Sequence, residues 1–501
     1  MKYKYFYIAV GFAVAVLSSC NGEWDGHYED NIVESHNLWE TINGNQDLQS
    51  FSTLLSQYGY DKSLSTDQRF TVWAPKGTVN TTLLTGTAMN ADEIQEQILE
   101  NHIARSSFSV SSLTNDTIKV LNGKIMPFVV TDGVAMFNGV PAVTTNVKCS
   151  NGILHIIENQ AQFNHNVWTY LRQDNDLQSL ADYLYSFNRK VFDPDASTVG
   201  GVVGGEKYYS DSVFVTSNDL WSDIGNLSDE SKGFIFLAPC NSTWEQKVEE
   251  VSAFYHYLSN DDSSVKGLDY ARKNIVQNLV FDTKGNISMP SYFFQNVSEY
   301  VSCSNGEIRK TQDLALDPYE TIAQPIVIEA EQESMYQTVK NNCADDDLAV
   351  TMKAADVTMS GNAFLPLTTS SAILKPSVTY ALPNVLSCKY DIGVVLVPQN
   401  MTAYGYSSTI DQKKSRLNFE LKDGNSGKSE SFNQLVYDGT KVDTLWITKD
   451  HVFDYCDYYP DGIDKSTSKV TLKITNDARR SETSEFTRNI YIDCIVLKPH
   501  K

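Results

Sequence analysis

The sequence predicts an α+β protein in which two copies of a mixed helix-and-strand module precede an all-β sandwich. Three short strings occur twice in the same order, which indicates an internal duplication. From about residue 325 onward, apolar and polar residues alternate in short runs separated by turn residues, which is typical of a β-sandwich. The predicted bounds are 37–163 for the first module, 164–322 for the second and 323–501 for the sandwich.

The chain begins with a segment that we predict to be a secretory signal over residues 1–19. A short start with two lysines precedes an apolar run, and this run ends in Leu17-Ser18-Ser19-Cys20. The run is shorter than the roughly 20 residues that a membrane-spanning helix needs. Its end resembles the bacterial lipobox, in which the cysteine is acylated and becomes the first residue. This resemblance predicts lipidation at Cys20 and a membrane anchor of more than one acyl chain; the alternative is an ordinary signal peptide.

Residues 20–36 form an acidic, polar stretch that we predict to be a lipidated tether. It resembles the leader of Bacteroidetes lipoproteins, in which acidic residues after the cysteine accompany export to the outer leaflet of the outer membrane. We therefore expect the protein to be anchored in the outer membrane and to face the outside, with the periplasm as the alternative.

The composition excludes some classes of partner. The chain has 40 basic and 62 acidic residues and a net charge of −22, which argues against nucleic acid. The cysteines after Cys20 show no CxxC or Cys/His spacing, so we predict no metal site and no cofactor. We expect them to be buried free thiols. They are Cys149, Cys240, Cys303, Cys343, Cys388, Cys456 and Cys494.

The duplication is carried by three pairs of strings. Their offsets are 129, 164 and 154 residues, so the second copy contains an insertion of about 35 residues between Tyr185 and Glu230. The insertion includes the glycine-rich turn Val199 to Gly205. The pairs are Asp47-Leu48-Gln49-Ser50 with Asp176-Leu177-Gln178-Ser179, Phe70 to Pro75 with Phe234 to Pro239, and Cys149-Ser150-Asn151-Gly152 with Cys303-Ser304-Asn305-Gly306.

Two strings of the first copy resemble the signatures of fasciclin (FAS1) domains. They are Phe70-Thr71-Val72-Trp73-Ala74-Pro75 and Asn151-Gly152-Ile153-Leu154-His155-Ile156-Ile157. The second copy departs from the family, since the string from Cys303 to Arg309 lacks the histidine and the apolar pair. The resemblance implies adhesion or extracellular binding without a catalytic residue set. We predict that His102 and His155 hydrogen-bond buried backbone.

The third region resembles galactose-binding-like jelly rolls, the fold of many carbohydrate-binding modules. The resemblance rests on the strand rhythm, on Glu329-Ala330-Glu331 in the first strand and on Tyr491-Ile492-Asp493 in the last. The predicted strands lie at Ile326–Glu331, Tyr390–Val397, Leu417–Leu421, Leu445–Ile447, Val470–Ile474 and Ile490–Cys494.

A search for catalytic motifs predicts that the protein is not an enzyme. The sequence contains neither HExxH nor GxSxG, and Gly424 to Ser429 is too short for a P-loop and indicates a hairpin turn. Glu329 and Glu331 could serve a glycosidase, but alternate residues on one face of a strand are common.

The segment from Trp446 to Asp464 is the candidate ligand surface because it combines aromatic rings, which stack on sugars, with carboxylates, which accept hydrogen bonds from hydroxyls. The alternative is that half of the rings are core and the acids are solvated. Calcium binding by Asp454, Asp457, Asp461 and Asp464 is a further option. The predicted ligand residues are Trp446, Tyr455, Tyr458, Tyr459, Asp457 and Asp461.

Two functions remain open on the sequence. The first is a non-catalytic surface lipoprotein that binds a polysaccharide or oligosaccharide, as an accessory to an outer-membrane importer complex for polysaccharide uptake. The second is an adhesin or protein-binding assembly factor that uses its FAS1-like domains.

Overall fold

The computed structural model describes residues 36–501 apart from short gaps. The signal peptide, Cys20, nearly all of the tether, Asp461 and Asp464 lie outside the described residues. Among the described helices, none is long and apolar enough to cross a membrane. The gaps are 84–85, 112–113, 260–261, 286–287, 333–337, 345–346, 370, 372 and 461–467.

The chain divides into two compact units, one ending at Asn164 and the other beginning at His165. The first unit combines short helices with a mixed seven-stranded sheet of the order β2-β1-β7-β6-β5-β4-β3. Its α-helices are Leu38–Asn43, Gln49–Gln57, Tyr60–Ser63 and Ala91–Ile94, with 3-10 turns at Gln46–Leu48 and Glu100–His102 and a π turn at Gln95–Leu99. Its strands are β1 (Phe70–Pro75), β2 (Ile103–Arg105), β3 (Asn115–Lys119), β4 (Ile125–Thr131), β5 (Val134–Phe137), β6 (Val140–Cys149) and β7 (Gly152–Ile157).

Local sequence explains the helix starts of the first unit. Asn37 and Asn90 each accept a hydrogen bond from the backbone of the third helical residue, a glutamate whose side chain bonds back, so both helices begin with a capping box. The strand β1 is buried throughout and pairs in parallel with β7. The two strings that resemble FAS1 signatures are therefore adjacent interior strands of this sheet.

The two buried histidines bond backbone, as predicted. His102 is wholly buried, with Nδ1 2.6 Å from the carbonyl oxygen of Ile98, while its Nε2 accepts from the amide of Ala161 at 2.9 Å. His155 Nε2 lies 2.9 Å from the carbonyl oxygen of Phe108. Burial lowers the pKa of both rings, that of His102 to about 4. They are neutral structural groups at physiological pH.

The second unit opens with helices around a four-stranded sheet of order β11-β10-β13-β12. Its α-helices are Val167–Tyr170, Gln178–Tyr185, Trp221–Ile224, Asn241–Ser252 and Leu268–Gln277, with 3-10 turns at Asn175–Leu177, Ala253–Tyr255 and Ser291–Phe294 and a π turn at Ser263–Gly267. Its strands are β8 (Asn188–Val203), β9 (Glu206–Asn218), β10 (Phe234–Pro239), β11 (Val280–Asp282), β12 (Val297–Cys303) and β13 (Gly306–Thr311). The predicted insertion is the hairpin of β8 and β9.

The repeated Asn-Gly pair has the same geometry in both copies. Asn151 accepts from the amide of Leu38 at 2.8 Å, and Asn305 accepts from the amide of Val167 at 2.9 Å, so each asparagine holds the first helix of its copy against the sheet. The glycine that follows faces the backbone of the parallel neighbour strand: a Cβ at Gly306 would lie 1.9 Å from the carbonyl oxygen of Phe234. A side chain is excluded there by this close approach.

We expect Gly306→Ala to destabilise the second unit by about 1–3 kcal/mol or more, because the strand must move to admit the methyl group. Gly427→Ala is the matched control, since Gly427 also has a positive φ but no atom within 4 Å of the added Cβ. Thermal melting of the two variants measures the difference; equal melting temperatures would contradict the close approach.

The rest of the second unit is a sandwich of two antiparallel sheets, of order β16-β17-β26-β19-β24, with β14 beside β26, and β15-β18-β25-β22-β23. All six predicted strands are present and Gly424 to Ser429 lies at a hairpin. The strands are β14 (Ile326–Glu329), β15 (Val339–Asn341), β16 (Val350–Thr351), β17 (Ala363–Leu367), β18 (Ser377–Ala381), β19 (Lys389–Leu396), β20 (Met401–Thr402), β21 (Gly405–Tyr406), β22 (Ser415–Asp423), β23 (Lys428–Tyr437), β24 (Asp443–Val452), β25 (Val470–Asn476) and β26 (Ile490–His500). Short helical turns lie at Pro318–Thr321, Ser360–Asn362 and Arg480–Glu482.

The predicted boundary at residue 323 falls inside the second unit. Buried apolar residues of the helical part and of the sandwich, from Val167 to Leu497, belong to one continuous core. Of the cysteines after Cys20, all seven are free thiols in the structure, and all but the half-buried Cys240 are buried, as predicted.

Candidate functional site

The structure separates the predicted ligand residues into two groups. Trp446 lies within β24, on a sheet face, whereas the tyrosines after the strand pack against the helical part of the same unit. The ring of Tyr458 lies 5.1 Å from that of Tyr255 and 5.2 Å from that of Tyr270, centroid to centroid. Edge-to-face aromatic contacts at this distance add to the energy of burial.

Hydrogen bonds reinforce the same contact. Tyr257 donates its hydroxyl to the carbonyl oxygen of Tyr458 at 2.6 Å, and the amide of Cys456 donates to the carbonyl oxygen of His256 at 2.7 Å. The rings of Tyr459 and Tyr455 lie 6.2 Å from Tyr257 and 5.0 Å from His256, respectively. These tyrosines therefore hold the sandwich to the helices that precede it.

Asp457 accepts hydrogen bonds from residues that follow it in the chain. Its side chain is wholly buried, and Oδ2 accepts from the hydroxyl of Ser468 at 2.5 Å and from the amide of Lys469 at 3.1 Å. A wholly buried carboxylate in this position does not face solvent, where a ligand would bind. The geometry accounts for Tyr455, Tyr458, Tyr459 and Asp457 by packing, and we centre the candidate site on Trp446 instead.

Trp446 belongs to an apolar row that crosses the outer face of the first sandwich sheet. The register pairs Trp446 with Gly393, Gly393 with Val496, and Val496 with Val327, so the row spans β24, β19, β26 and β14. Three interstrand spacings make it about 14 Å long. Val327 is 43% exposed and Trp446 is partly exposed, which leaves the row open to solvent.

Gly393 sets the position of the indole. A Cβ at this residue would lie 2.9 Å from Cε3 of Trp446 and 2.7 Å from Cγ2 of Thr444, so the ring occupies the space that a side chain on β19 would take. The ammonium of Lys498 lies 5.2 Å from the centre of the Trp446 ring, a cation–π contact. The tryptophan is thus fixed on the sheet by backbone geometry.

Polar groups lie beside the apolar row. Asp391 on β19 and Lys498 on β26 are register partners. Each lies two residues from Gly393 or Val496 on its own strand and therefore on the same face of the sheet. Next to them, Nε2 of His500 is 3.2 Å from Oδ1 of Asp391. A flat apolar strip with carboxylate, ammonium and imidazole groups along one side offers stacking together with hydrogen bonds, the combination that sugars need.

A second cluster lies where β14 ends beside β26. Ser360 donates its hydroxyl to Oε1 of Glu329 at 2.5 Å and its amide to Oδ2 of Asp493 at 3.2 Å. Gly361, at φ +56°, is so close that a Cβ would lie 2.8 Å from Oε1 of Glu331. The ligating atoms of Glu329, Asp493 and Cys494 lie within 4.8 Å of one another. Three carboxyl groups therefore converge on one turn.

The carboxyl oxygens of this cluster are not all satisfied. Asp493 is only 4% exposed, and its Oδ1, like Oε2 of Glu329 and of Glu331, has no hydrogen-bond partner among the described residues. Burial and the two glutamates raise the pKa of Asp493 to about 7, and burial raises the pKa of Glu331 as well. Unpaired buried carboxylates are costly unless a cation compensates them.

An oxygen-only donor set of this kind fits a hard divalent cation such as Ca²⁺. Burial raises the pKa of the Cys494 thiol to about 12, so it stays protonated and contributes no thiolate. The sequence predicts no metal site here. Its other option for calcium is not supported by the geometry, because Asp454 pairs with Lys428 at 2.5 Å and Asp457 is bonded within its loop.

Comparison with known proteins bears on the first unit. Residues 46–160 match the family model of the fasciclin domain. The first unit contains a fasciclin domain. Protein sll1483 of Synechocystis sp. is 22% identical over 165 residues, which cover 30% of this chain and 91% of that protein. The resemblance read from the two strings is thereby confirmed for this fasciclin domain.

Solved structures similar to parts of the chain include the FAS1 domain pair of the insect cell adhesion molecule Fasciclin I, with 14% identity, a TM-score of 0.20 and coverage of 56% of this chain and all of that one. A family 35 carbohydrate-binding module from Clostridium thermocellum has 8% identity and a TM-score of 0.19 over 36% of this chain and all of its own. The family 32 module of NanJ from C. perfringens, solved with galactose, has 12% identity and a TM-score of 0.20 over 34% of this chain and 99% of its own.

Proposed function

We propose that the protein is a non-catalytic glycan-binding protein whose ligand is a polysaccharide or oligosaccharide. The supporting observation is the open row of Trp446, Gly393, Val496 and Val327, with Asp391, Lys498 and His500 along its side. An extended sugar chain would lie across the strands with one ring on the indole and its hydroxyls toward the polar side.

A glycan array and affinity electrophoresis in gels that contain polysaccharide test this proposal. We expect the purified chain to be retarded by at least one plant, host or microbial polysaccharide. An absence of retention on all of them would contradict glycan binding, whatever the role of the fasciclin domain.

The position of the indole can be tested without removing it. We expect Gly393→Ala to weaken glycan binding, since the added methyl group would displace the ring of Trp446 from its place on the sheet. Gly427→Ala, in an open turn of the same sandwich, is the control. Affinity electrophoresis of the two variants gives the comparison; unchanged binding by Gly393→Ala would show that the ring position is irrelevant.

We further propose that the second module is a divergent fasciclin domain and that the protein is a lipid-anchored accessory of an outer-membrane polysaccharide uptake system. The equivalent Asn-Gly geometry at Asn151 and Asn305 supports the first point. The lipobox-like string and the acidic tether support the anchor and its surface location.

The anchor is tested by Cys20→Ala. The substitution removes the thiol that would carry the lipid, so we expect the protein to move from the detergent phase to the aqueous phase in detergent partitioning, with unchanged circular dichroism. A variant that stays in the detergent phase would contradict lipidation at Cys20.

The second candidate function is adhesion or assembly through the fasciclin domain, which the family match over residues 46–160 favours. Neighbouring genes distinguish the two functions. Importer and glycosidase genes would favour glycan capture, whereas fimbrial or matrix genes would favour adhesion.

We also propose that Glu329, Glu331 and Asp493 bind a divalent cation, with Ca²⁺ as the best fit to their oxygen donors. The unpaired oxygens around Gly361 support this site. Its role would be structural, since it would join the first and last strands of the sandwich.

A further inference from the structure

The fasciclin domain contains a cavity at the edge of its sheet, between the edge strand β2 and the helix Tyr60–Ser63. Its volume of about 320 Å³ is at the lower end of the range of small-molecule sites. Leu64, Phe70 and Ile103 line the cavity and are buried, which gives it an apolar base. Polar side chains complete the lining, and such a mixture is typical of sites that bind and orient a small ligand.

Strand alternation directs two side chains of β2 toward this cavity. Ile103 and Arg105 are two residues apart and both line it, whereas Ala104 between them belongs to the core on the other face of the sheet. Arg105 is also the register partner of Phe70 on β1, so the two side chains leave the same face of the sheet as neighbours. The sheet therefore determines where the guanidinium group is attached.

Tyr60 and Glu100 form a second polar part of the lining. Tyr60 donates its hydroxyl to Oε1 of Glu100 at 2.7 Å. Burial and this hydrogen bond raise the pKa of Tyr60, so the hydroxyl stays protonated. A protonated phenol can still accept a hydrogen bond and a carboxylate can accept several, so the pair can receive hydroxyl groups of a ligand.

Arg105 supplies the opposite charge. Its side chain is exposed and lines the cavity, and it forms no ion pair with any carboxylate that the structure describes, Glu100 included. A guanidinium group has the planar donor geometry that matches a carboxylate with two parallel hydrogen bonds. The cavity thus offers donors for an anionic group and, at a separate place, acceptors for hydroxyls.

The second copy of the module carries the opposite charge at this position. Arg105 is the register partner of Phe70, and Asp282 is the register partner of Phe234, the equivalent residue of β10. The strand pair therefore forms with either charge at this position, so the guanidinium is not required for it. This difference favours a role of Arg105 in binding over a role in folding.

The polar groups narrow the class of ligand. A simple anion or an acidic peptide side chain would place its negative charge near Glu100, which is unfavourable. A neutral sugar would leave Arg105 without an anionic partner. Ser63 and Gln68 add a hydroxyl and an amide to the lining, which suit a ligand with several hydroxyls better than the single ammonium of an amino acid.

We propose that this cavity binds a sugar unit that carries a carboxylate, a uronic acid, with its carboxylate on Arg105 and its hydroxyls on Glu100 and Tyr60. The apolar side of the sugar ring lies on the base of the cavity. This site belongs to the fasciclin domain and does not depend on glycan binding by the row around Trp446.

Binding of galacturonate and glucuronate to the full chain tests the proposal, measured by saturation-transfer NMR in the variant Trp446→Ala, which removes the ring of the other proposed site. We expect at least one of the two to bind, and galactose and glucose to bind about tenfold more weakly or less. Arg105→Asp introduces the residue type of the second copy, so the fold should tolerate it, and uronate affinity should fall about tenfold or more. Added salt should weaken uronate binding in the Trp446→Ala chain.

Arg69→Asp is the matched control, since Arg69 is an exposed arginine that does not line the cavity. When it is added to Trp446→Ala, uronate binding should stay close to that of Trp446→Ala alone. Circular dichroism and melting show that each variant is folded. Failure of both uronates to bind, equal binding of the neutral sugars, tighter binding of glutamate, or undiminished binding by Arg105→Asp would each overturn the proposal and leave glycan binding by the sandwich untouched.

Discussion

Replacement of Trp446 by alanine is expected to weaken glycan binding about tenfold to a hundredfold. The loss of one stacking ring from a nucleic-acid groove costs about 1–3 kcal/mol, and a sugar that stacks on the indole should lose a similar amount. The ring lies on Gly393 at the surface of a sheet, so its removal leaves the buried core of the sandwich intact. Affinity electrophoresis and isothermal titration calorimetry with the retained polysaccharide measure the change.

Tyr404→Ala is the matched control for this experiment. Tyr404 is 76% exposed in the same sandwich, between β20 and β21 and outside the apolar row, so its loss should leave binding unchanged. Tyr458→Ala offers a second comparison, because it should lower the melting temperature of the second unit through lost contacts with Tyr255 and Tyr270. Unchanged glycan binding by Trp446→Ala would contradict the proposal that the apolar row is the glycan-binding site.

Addition of Ca²⁺ is expected to raise the melting temperature of the second unit. At a free cation concentration about a hundred times the dissociation constant, binding to the folded state adds about 2.7 kcal/mol. That corresponds to a rise of about 4 °C for a unit that runs from His165 to Lys501. Differential scanning calorimetry with and without a chelator measures the rise, and D493N, which removes one buried carboxylate, should reduce it strongly.

The same site predicts a dependence on pH in the absence of cation. The pKa of Asp493 rises from 3.8 to about 7 in the folded chain. At pH values between these two, the folded state therefore keeps a proton on Asp493 that the unfolded state has lost. Stability is therefore greatest below about pH 4 for this group and falls as the pH rises toward 7. With Ca²⁺ bound to the carboxylates, the fall should be smaller.

D411N is the control for the cation experiment, because Asp411 is an exposed carboxylate of the same sandwich. It should retain the full response to Ca²⁺. Equal melting temperatures of the native chain with Ca²⁺ and with chelator, or an equal rise in D493N, would contradict cation binding by this cluster.

Much of the fold could be predicted because its signals are local. Phe70 to Pro75 and Asn151 to Ile157 are short strings whose composition is that of strands, and the alternation in β14, β19, β22, β25 and β26 is visible within a few residues each. The insertion could be placed from the change in offset alone, and its glycine-rich centre lies at the turn of the hairpin of β8 and β9.

The candidate site could be predicted only in part, since its composition depends on strand register. The sequence shows Trp446 as an aromatic residue beside others, but its register partner Gly393 lies 53 residues away, next to a β-bulge that shifts the register of the two strands. Tyr458 and Trp446 are close in sequence, which predicts a shared surface. The true neighbours of Tyr458 are Tyr255 and Tyr270, which come from helices almost 200 residues earlier, and no local pattern indicates such a contact.

The carboxylate cluster illustrates the same limit. Glu329, Glu331 and Asp493 each belong to a strand-like string, but their convergence requires β14 to lie beside β26 in the register that pairs Glu329 with Cys494. A search for metal ligands by spacing cannot find donors that are more than 160 residues apart. The string Glu329-Ala330-Glu331 is the local signal for this carboxylate cluster. Only the sheet topology brings Asp493 beside it.

The contact of Tyr458 with Tyr255 and Tyr270 also determines how the chain can be cut and recombined. A truncation at residue 323 would expose two faces of one core to solvent. We therefore expect the C-terminal sandwich not to fold stably when it is expressed alone or fused to another protein. Calorimetry of the whole chain should accordingly resolve two cooperative transitions and not three. In a lineage that exchanges domains, the natural crossover lies near Asn164, and the helical module and the sandwich should be inherited together.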